Sequence, residues 1–108
     1  MKHVMLSADS SPSIYSVPDI VADNLFEYCM EFCNKWLPEN PNAAEYRIGD
    51  CLAYREVDFI KYLNKWLFPD EPSVLVETFD WSVISEAING RGKPSLPEKY
   101  KDCEWFNF

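Results

Sequence analysis

Glycine and histidine are scarce in this chain. Only three glycines occur among the 108 residues, so the sequence contains no glycine-rich phosphate-binding loop and no dinucleotide-binding fingerprint. The single histidine, His3, has no nucleophile or carboxylate placed beside it by the sequence, and a catalytic histidine needs such a neighbour. The sequence therefore favours a protein that is not an enzyme and that uses no cofactor.

Basic residues are also few. Ten lysines and arginines stand against 18 aspartates and glutamates, which gives a net charge of −8 at pH 7. Binding to phosphates or to anionic membranes requires clustered basic side chains, so direct binding of nucleic acid or of a membrane is disfavoured. An acidic protein instead attracts basic surfaces, although the same charge also serves solubility alone. Both interpretations stay open at this point.

Long hydrophobic segments are absent as well. No apolar run approaches the roughly 20 residues that cross a bilayer. The opening MKHVMLSADSS holds too short an apolar stretch for a secretory signal peptide. We therefore expect a cytoplasmic protein.

The four cysteines are consequently expected to be reduced thiols. Cys29 and Cys33 are four residues apart, a spacing that permits two metal ligands on one helix face. Zinc would need two more ligands from Cys51, Cys103 or His3, and none of these forms a second close pair. Because helix periodicity already explains Cys29 and Cys33 as core residues, we expect no metal.

The rest of the composition is that of one packed domain spanning residues 1–108. Apolar residues make up 47% of the chain and aromatic residues 16%, which suffices for a single core. The patterns predict strands at 3–6, 13–17 and 73–77, a hairpin over 45–55, and helices at about 18–37, 57–67 and 81–88. The expected fold is α+β, with two main helices and a short third helix packed on a small, mostly antiparallel sheet. An irregular aromatic tail is expected from about residue 91 to residue 108.

The first helix carries the clearest pattern. Ser16 is expected to cap the amino-terminal end of this helix through its hydroxyl group. The third helix is expected to end at Asn89-Gly90. Apolar residues of the first helix recur at three- and four-residue intervals, as a buried stripe requires. The stripe consists of Ile20, Val21, Leu25, Cys29, Cys33, Trp36 and Leu37.

A short motif occurs twice. NKWLPENP at residues 34–41 is followed by NKWLFPDEP at residues 64–72. In both copies a Trp-Leu pair ends a predicted amphipathic helix, and a proline then prevents its continuation. Two copies are too few for a stacked repeat architecture. The motif is therefore either two helices that end in the same way or a ligand-binding element used twice.

Carboxylates along the first helix form the candidate partner-binding site. Asp23, Glu27 and Glu31 are spaced by four residues, and Asp19 and Glu39 extend the set. We expect this acidic face to be exposed and to suit a basic partner protein. The leading interpretation is a non-enzymatic protein-binding module. Its carboxylates would occupy the place of phosphates on a nucleic-acid-handling protein.

Three segments carry a resemblance to other proteins. VMLSADSS, DFIKYLNKWLFPDEPS and PEKYKDCEWFNF together resemble a group of small acidic bacterial proteins associated with mobile elements. Small acidic proteins of phages and mobile elements often inhibit host defence proteins or act as decoys for them, and anti-CRISPR proteins are an example. The resemblance therefore implies an interaction role, as an inhibitor or decoy, and not an enzymatic one.

Two alternatives use other residues. A small-molecule or metal-binding pocket between the two helices would be lined by Trp36, Tyr62, Trp66 and the cysteines. A homodimer would instead use an exposed aromatic tail. Its contact residues would be Trp105, Phe106 and Phe108, although such residues more often fill a core.

Overall fold

A computed structural model describes residues 1–8, 12–79, 100 and 102–108. Its strands are β1 (Lys2–Ser7), β2 (Ser13–Val17), β3 (Arg47–Ile48), β4 (Cys51–Leu52), β5 (Val74–Thr78) and β6 (Glu104–Asn107). Four of them form one sheet in the order β5-β2-β1-β6, in which only the β1–β6 pair is parallel. β3 and β4 form a separate hairpin, whose turn contains Gly49 at a φ of 60°. The predicted α+β class is confirmed.

Along the chain, all of the described helices lie between β2 and β5. They are α1 (Asp19–Asp23), α2 (Leu25–Glu31), α3 (Leu37–Glu39) and α4 (Glu56–Tyr62), together with a 3₁₀-helix at Pro41–Tyr46. None of the described helices is long and apolar enough to cross a membrane.

Both copies of the Asn-Lys-Trp motif lie in π-helical turns. The first π turn, Phe32–Trp36, continues α2, and the second, Leu63–Leu67, continues α4. In each turn a backbone N–H donates to the carbonyl five residues earlier, from Leu37 to Phe32 and from Phe68 to Leu63. Single π turns are rare and are often found at functional sites.

The core lies between the helices and one face of the sheet. Val4, Leu6 and Val17 from that face are fully buried against Cys29 and Phe32. Other buried members of this core are Tyr15, Val21, Ala22, Leu25, Leu37, Ala43, Phe59, Ile60, Tyr62 and Leu63. The opposite face carries a smaller cluster of Met5, Ile14, Phe79 and Tyr100. Alternate residues of β1 thus serve the two faces, as strand geometry requires.

Two details predicted for the first helix are wrong. Ser16 does not cap the helix, because it pairs with His3 within the sheet and the chain stays extended through Pro18, which precedes α1. Ile20 is 52% exposed, although it was assigned to the buried stripe. The helix is interrupted at Asn24, whose φ of −132° is not helical, and a single period therefore does not hold across the whole segment.

The tail prediction is wrong over β6. Residues 104–107 were expected to be irregular, but they form a strand parallel to β1. Phe106 and Phe108 pack against the main core, and Trp105 packs against the smaller cluster. Alternation of the rings between the two sheet faces explains the strand. The predicted third helix and its Asn89-Gly90 ending lie outside the described residues.

Candidate functional site

The structure separates the five acidic residues of the predicted site. All five are exposed. Asp19 Oδ1 lies 2.9 Å from the amino-terminal nitrogen, and Asp23 Oδ1 lies 2.6 Å from the Lys2 ammonium. The hydrogen bond from the amino terminus lowers the pKa of Asp19. The charges of Asp19 and Asp23 are therefore compensated within the protein.

Glu27 and Glu31 lie together on one surface of α2, which we call the α2 face. It also contains Phe26 and Met30, and these four residues border a shallow cavity of about 340 Å³. Phe26 is 63% exposed, and its ring contacts Phe106 at a centroid distance of 6.2 Å. The α2 face thus combines two carboxylates with an exposed aromatic ring.

Glu31 also borders a second cavity, of about 380 Å³, together with Glu39. Trp36 and Tyr62 line this cavity and extend into a third one, the aromatic cleft. The predicted acidic residues are therefore not one continuous row. Only Glu27, Glu31 and Glu39 come near other candidate binding residues.

The aromatic cleft has a volume of about 380 Å³ and lies between the two copies of the repeated motif. Its aromatic lining consists of Trp36, Tyr46, Tyr62 and Trp66. The Trp36 ring centroid is 5.0 Å from that of Tyr62 and 6.2 Å from that of Tyr46. Three of these residues were predicted to line a pocket between the helices, and the structure brings them together.

Charged groups occupy different parts of the cleft wall. Lys65 Nζ lies 5.0 Å from the centroid of the Trp66 ring, a cation–π contact. Lys61 Nζ lies 3.9 Å from Asp58 Oδ1. Burial raises the pKa of Tyr46, and the carboxylates of Asp58 and Glu45 raise it further.

Side-chain clamps hold the chain after each π turn. Arg47 donates from one guanidinium nitrogen to the carbonyls of Leu37 (2.9 Å) and Asn40 (3.0 Å), which satisfies groups at a helix end. Asn64 donates to the Ser73 carbonyl and accepts from the Ser73 N–H. These bonds fix the two segments from which Trp36 and Trp66 project.

The cysteines do not line the aromatic cleft, and this part of the pocket prediction is wrong. Cys29 is fully buried in the main core, where helix periodicity had placed it. Cys33 packs beside it, with its sulfur 3.5 Å from the Tyr54 hydroxyl. No group of three His, Cys, Asp or Glu residues able to hold a metal ion occurs in the described part of the chain.

The thiols should differ sharply in reactivity. Burial raises the pKa of Cys29 far above its usual range and also raises that of Cys33, whereas Cys51 is exposed. Because the thiolate is the reactive form, iodoacetamide at pH 8 should alkylate Cys51 first and Cys29 only on unfolding. Peptide mass spectrometry against time measures the order. Equal rates for Cys29 in native and urea-unfolded protein would contradict the buried position.

Sequence reasoning missed three residues that matter here. Phe26 was overlooked because it lies off the buried stripe, yet an aromatic residue among acids is itself a signal. Lys65 was not assigned to a site, because a lysine in the last turn of a helix is already explained by its favourable interaction with the helix dipole. Tyr46 could not be connected with Trp36 from the sequence, because a 3₁₀-helix brings the two together.

Comparison with known proteins gives no assignment for this arrangement. No protein-family model, no curated protein and no solved structure matches the chain.

Proposed function

We propose that the protein is a non-enzymatic protein-binding module that docks a basic partner protein on the α2 face. The observation that carries this proposal is the 63% exposure of Phe26. Interface anchors are typically aromatic side chains that enter a pocket of the partner and are surrounded by polar residues. Phe26 has this setting, because Glu27 and Glu31 border the same shallow cavity.

Charge favours a basic partner. Glu27 and Glu31 are one helical turn apart and both exposed. With a net charge of −8 on the chain, long-range attraction would speed encounter with a positively charged surface. Asp19 and Asp23 contribute less to this proposal, since they pair with the amino terminus at 2.9 Å and with Lys2 at 2.6 Å. Glu31, in contrast, forms only a longer pair with Lys35, at 3.5 Å.

A nucleic-acid-handling protein is the type of partner that we propose. Its phosphate-binding groove is basic and accepts rows of negative charge. Carboxylates separated by one helical turn, about 5.4 Å, present such a row on a rigid element. The module would then act as an inhibitor or decoy in the cytoplasm, in line with the resemblance to acidic proteins of mobile elements.

Charge reversal on the α2 face tests this proposal. A partner is first captured from bacterial lysate with the tagged protein, and its Kd is then measured by titration calorimetry. We expect Phe26→Ala to weaken binding about tenfold or more, because it removes the anchor. The double variant Glu27→Lys/Glu31→Lys should weaken it further and reduce its dependence on salt.

The matched control is Asp70→Lys/Glu71→Lys. It exchanges two exposed acids outside the α2 face and, like the test variant, raises the net charge from −8 to −4 by replacing two negative charges with two positive ones. This control should bind within about twofold of the unmodified protein. The proposal fails if the two double variants weaken partner binding equally. It also fails if both variants are folded by circular dichroism and neither weakens binding, or if no specific partner is captured.

A further inference from the structure

We infer that the aromatic cleft binds a small planar organic anion with the size and chemistry of a mononucleotide. Its ring would lie against the indole rings of Trp36 and Trp66, which both line the cleft, and its acidic group would contact Lys65. This site is separate from the α2 face, and the inference does not rest on the proposed protein-binding function. A volume of about 380 Å³ falls within the range of small-ligand sites.

The Trp36 ring is held in a fixed position in the cleft. The Trp36 ring stacks on the fully buried Phe32, with centroids 5.7 Å apart and planes at 18°. Tyr62, which is buried, packs against the same indole, with centroids 5.0 Å apart and planes at 54°. A fixed aromatic surface that needs no reordering favours ligands with a planar ring, because stacking is strongest between flat groups.

The rim supplies a second ring and a cation. Trp66 is 42% exposed, so part of its ring is accessible to a ligand. Lys65 lies over that ring, and no carboxylate of the described residues lies within 4.0 Å of its ammonium group. An anion bound to Lys65 would therefore sit directly beside the Trp66 ring.

The cleft is also lined by a hydrogen-bond acceptor, the carboxylate of Glu45. Glu45 lines the cleft together with Tyr46, whereas Lys65 lies over the ring of Trp66. A carboxylate such as Glu45 accepts hydrogen bonds from ring or exocyclic N–H groups. A heteroaromatic ring with an N–H group could donate to Glu45, and a separate anionic group of the same ligand could bind Lys65. A nucleotide has both groups.

The net charge limits the ligand to a small one. A nucleic-acid polymer would meet the repulsion of a chain with a charge of −8 over its whole length. A ligand with one or two charges can instead be neutralised by Lys65 within the cleft. We therefore assign the site to a free small molecule.

The repeated motif provides its own control. Lys35 and Lys65 occupy the same position in the two copies, but Lys35 pairs with Glu31 at 3.5 Å and does not line the cleft. Lys35→Gln and Lys65→Gln thus remove the same charge from equivalent positions. Only the second should affect a ligand held in the cleft.

Ligand-observed NMR and titration calorimetry with matched probes test this inference. The anionic probes are adenosine monophosphate, cytidine monophosphate and indole-3-acetate, and their neutral counterparts are adenosine, cytidine and indole-3-acetamide. We expect at least one anion to bind with a Kd below 1 mM. Lys65→Gln should weaken the affinity for that anion about fivefold or more and change the affinity for its neutral counterpart by less than about twofold. Trp66→Ala should weaken the affinity for both compounds by about fivefold or more.

Three results would overturn the assignment. The first is that no anionic probe binds with a Kd below 1 mM, and the second is that anions and their neutral counterparts bind equally well. The third is that Lys65→Gln and Lys35→Gln lose the same amount of affinity for the anion. Phe26→Ala distinguishes this site from the α2 face, since it should leave probe binding unchanged. Loss of partner binding with retained probe binding would therefore affect only the protein-binding proposal.

Discussion

Deletion of residues 103–108 is expected to unfold the protein. The deletion removes β6, the only strand paired with the outer side of β1 in the described sheet. It also removes Phe108, whose ring lies within about 6 Å of the rings of Phe32, Tyr54 and Phe59. Phe106 and Phe108 pack against the main core, and losing both rings costs about 6–10 kcal/mol at about 3–5 kcal/mol each, before the loss of the strand is counted. That cost is comparable with the whole margin of about 5–15 kcal/mol that stabilises a typical domain.

Near-ultraviolet circular dichroism and a thermal melt measure this outcome. We expect the truncated chain to show no cooperative transition. Phe108→Ala alone should still fold, with a free energy of unfolding lowered by about 3 kcal/mol, because the strand remains. A truncated chain that stays folded and monomeric would instead favour the tail as a contact surface between copies.

Phe32→Ala should be the most destabilising single substitution of an aromatic residue. Phe32 is fully buried, and its ring contacts five other aromatic rings. Removing it leaves a cavity that these rigid neighbours cannot close. The expected loss is about 3–5 kcal/mol in the free energy of unfolding, measured by urea denaturation with linear extrapolation.

Phe26→Ala serves as the matched control, because the same substitution at a 63% exposed position removes little buried surface. Its cost should be about 1 kcal/mol or less. Similar losses at Phe26 and Phe32 would show that the ring cluster does not stabilise the fold in the way its geometry indicates.

Strands and helices were largely predictable because each has a local cause. β-branched residues at 73–77 indicated β5, and the strand character of residues 13–17, which follow a turn-rich segment, indicated β2. β6 was missed because EWFN is too short to show a period. Its structure comes from the edge of β1, about one hundred residues earlier in the chain, and local sequence contains no information on that pairing.

The residues of the candidate site were easier to predict from the sequence than their arrangement in space. Trp36, Tyr62 and Trp66 were assigned to a pocket because they end or line two amphipathic helices. The π turns could not be foreseen, since a helix period of 3.6 assumes bonds four residues apart and these turns use five. The ion pairs of Asp19 and Asp23 depend on the hairpin lying beside α1, which is a tertiary contact.

The parallel pairing of β1 with β6 has a consequence for biosynthesis. Val4 is aligned with Glu104, so the contact with the greatest sequence separation in the sheet is also made by the strand that is translated last. Such distant pairing slows folding, because a long loop must close before the contact forms. On the ribosome, β1 would keep one side open until residues 104–107 have emerged from the exit tunnel. A stalled nascent chain would therefore expose that open edge to chaperones and to neighbouring chains.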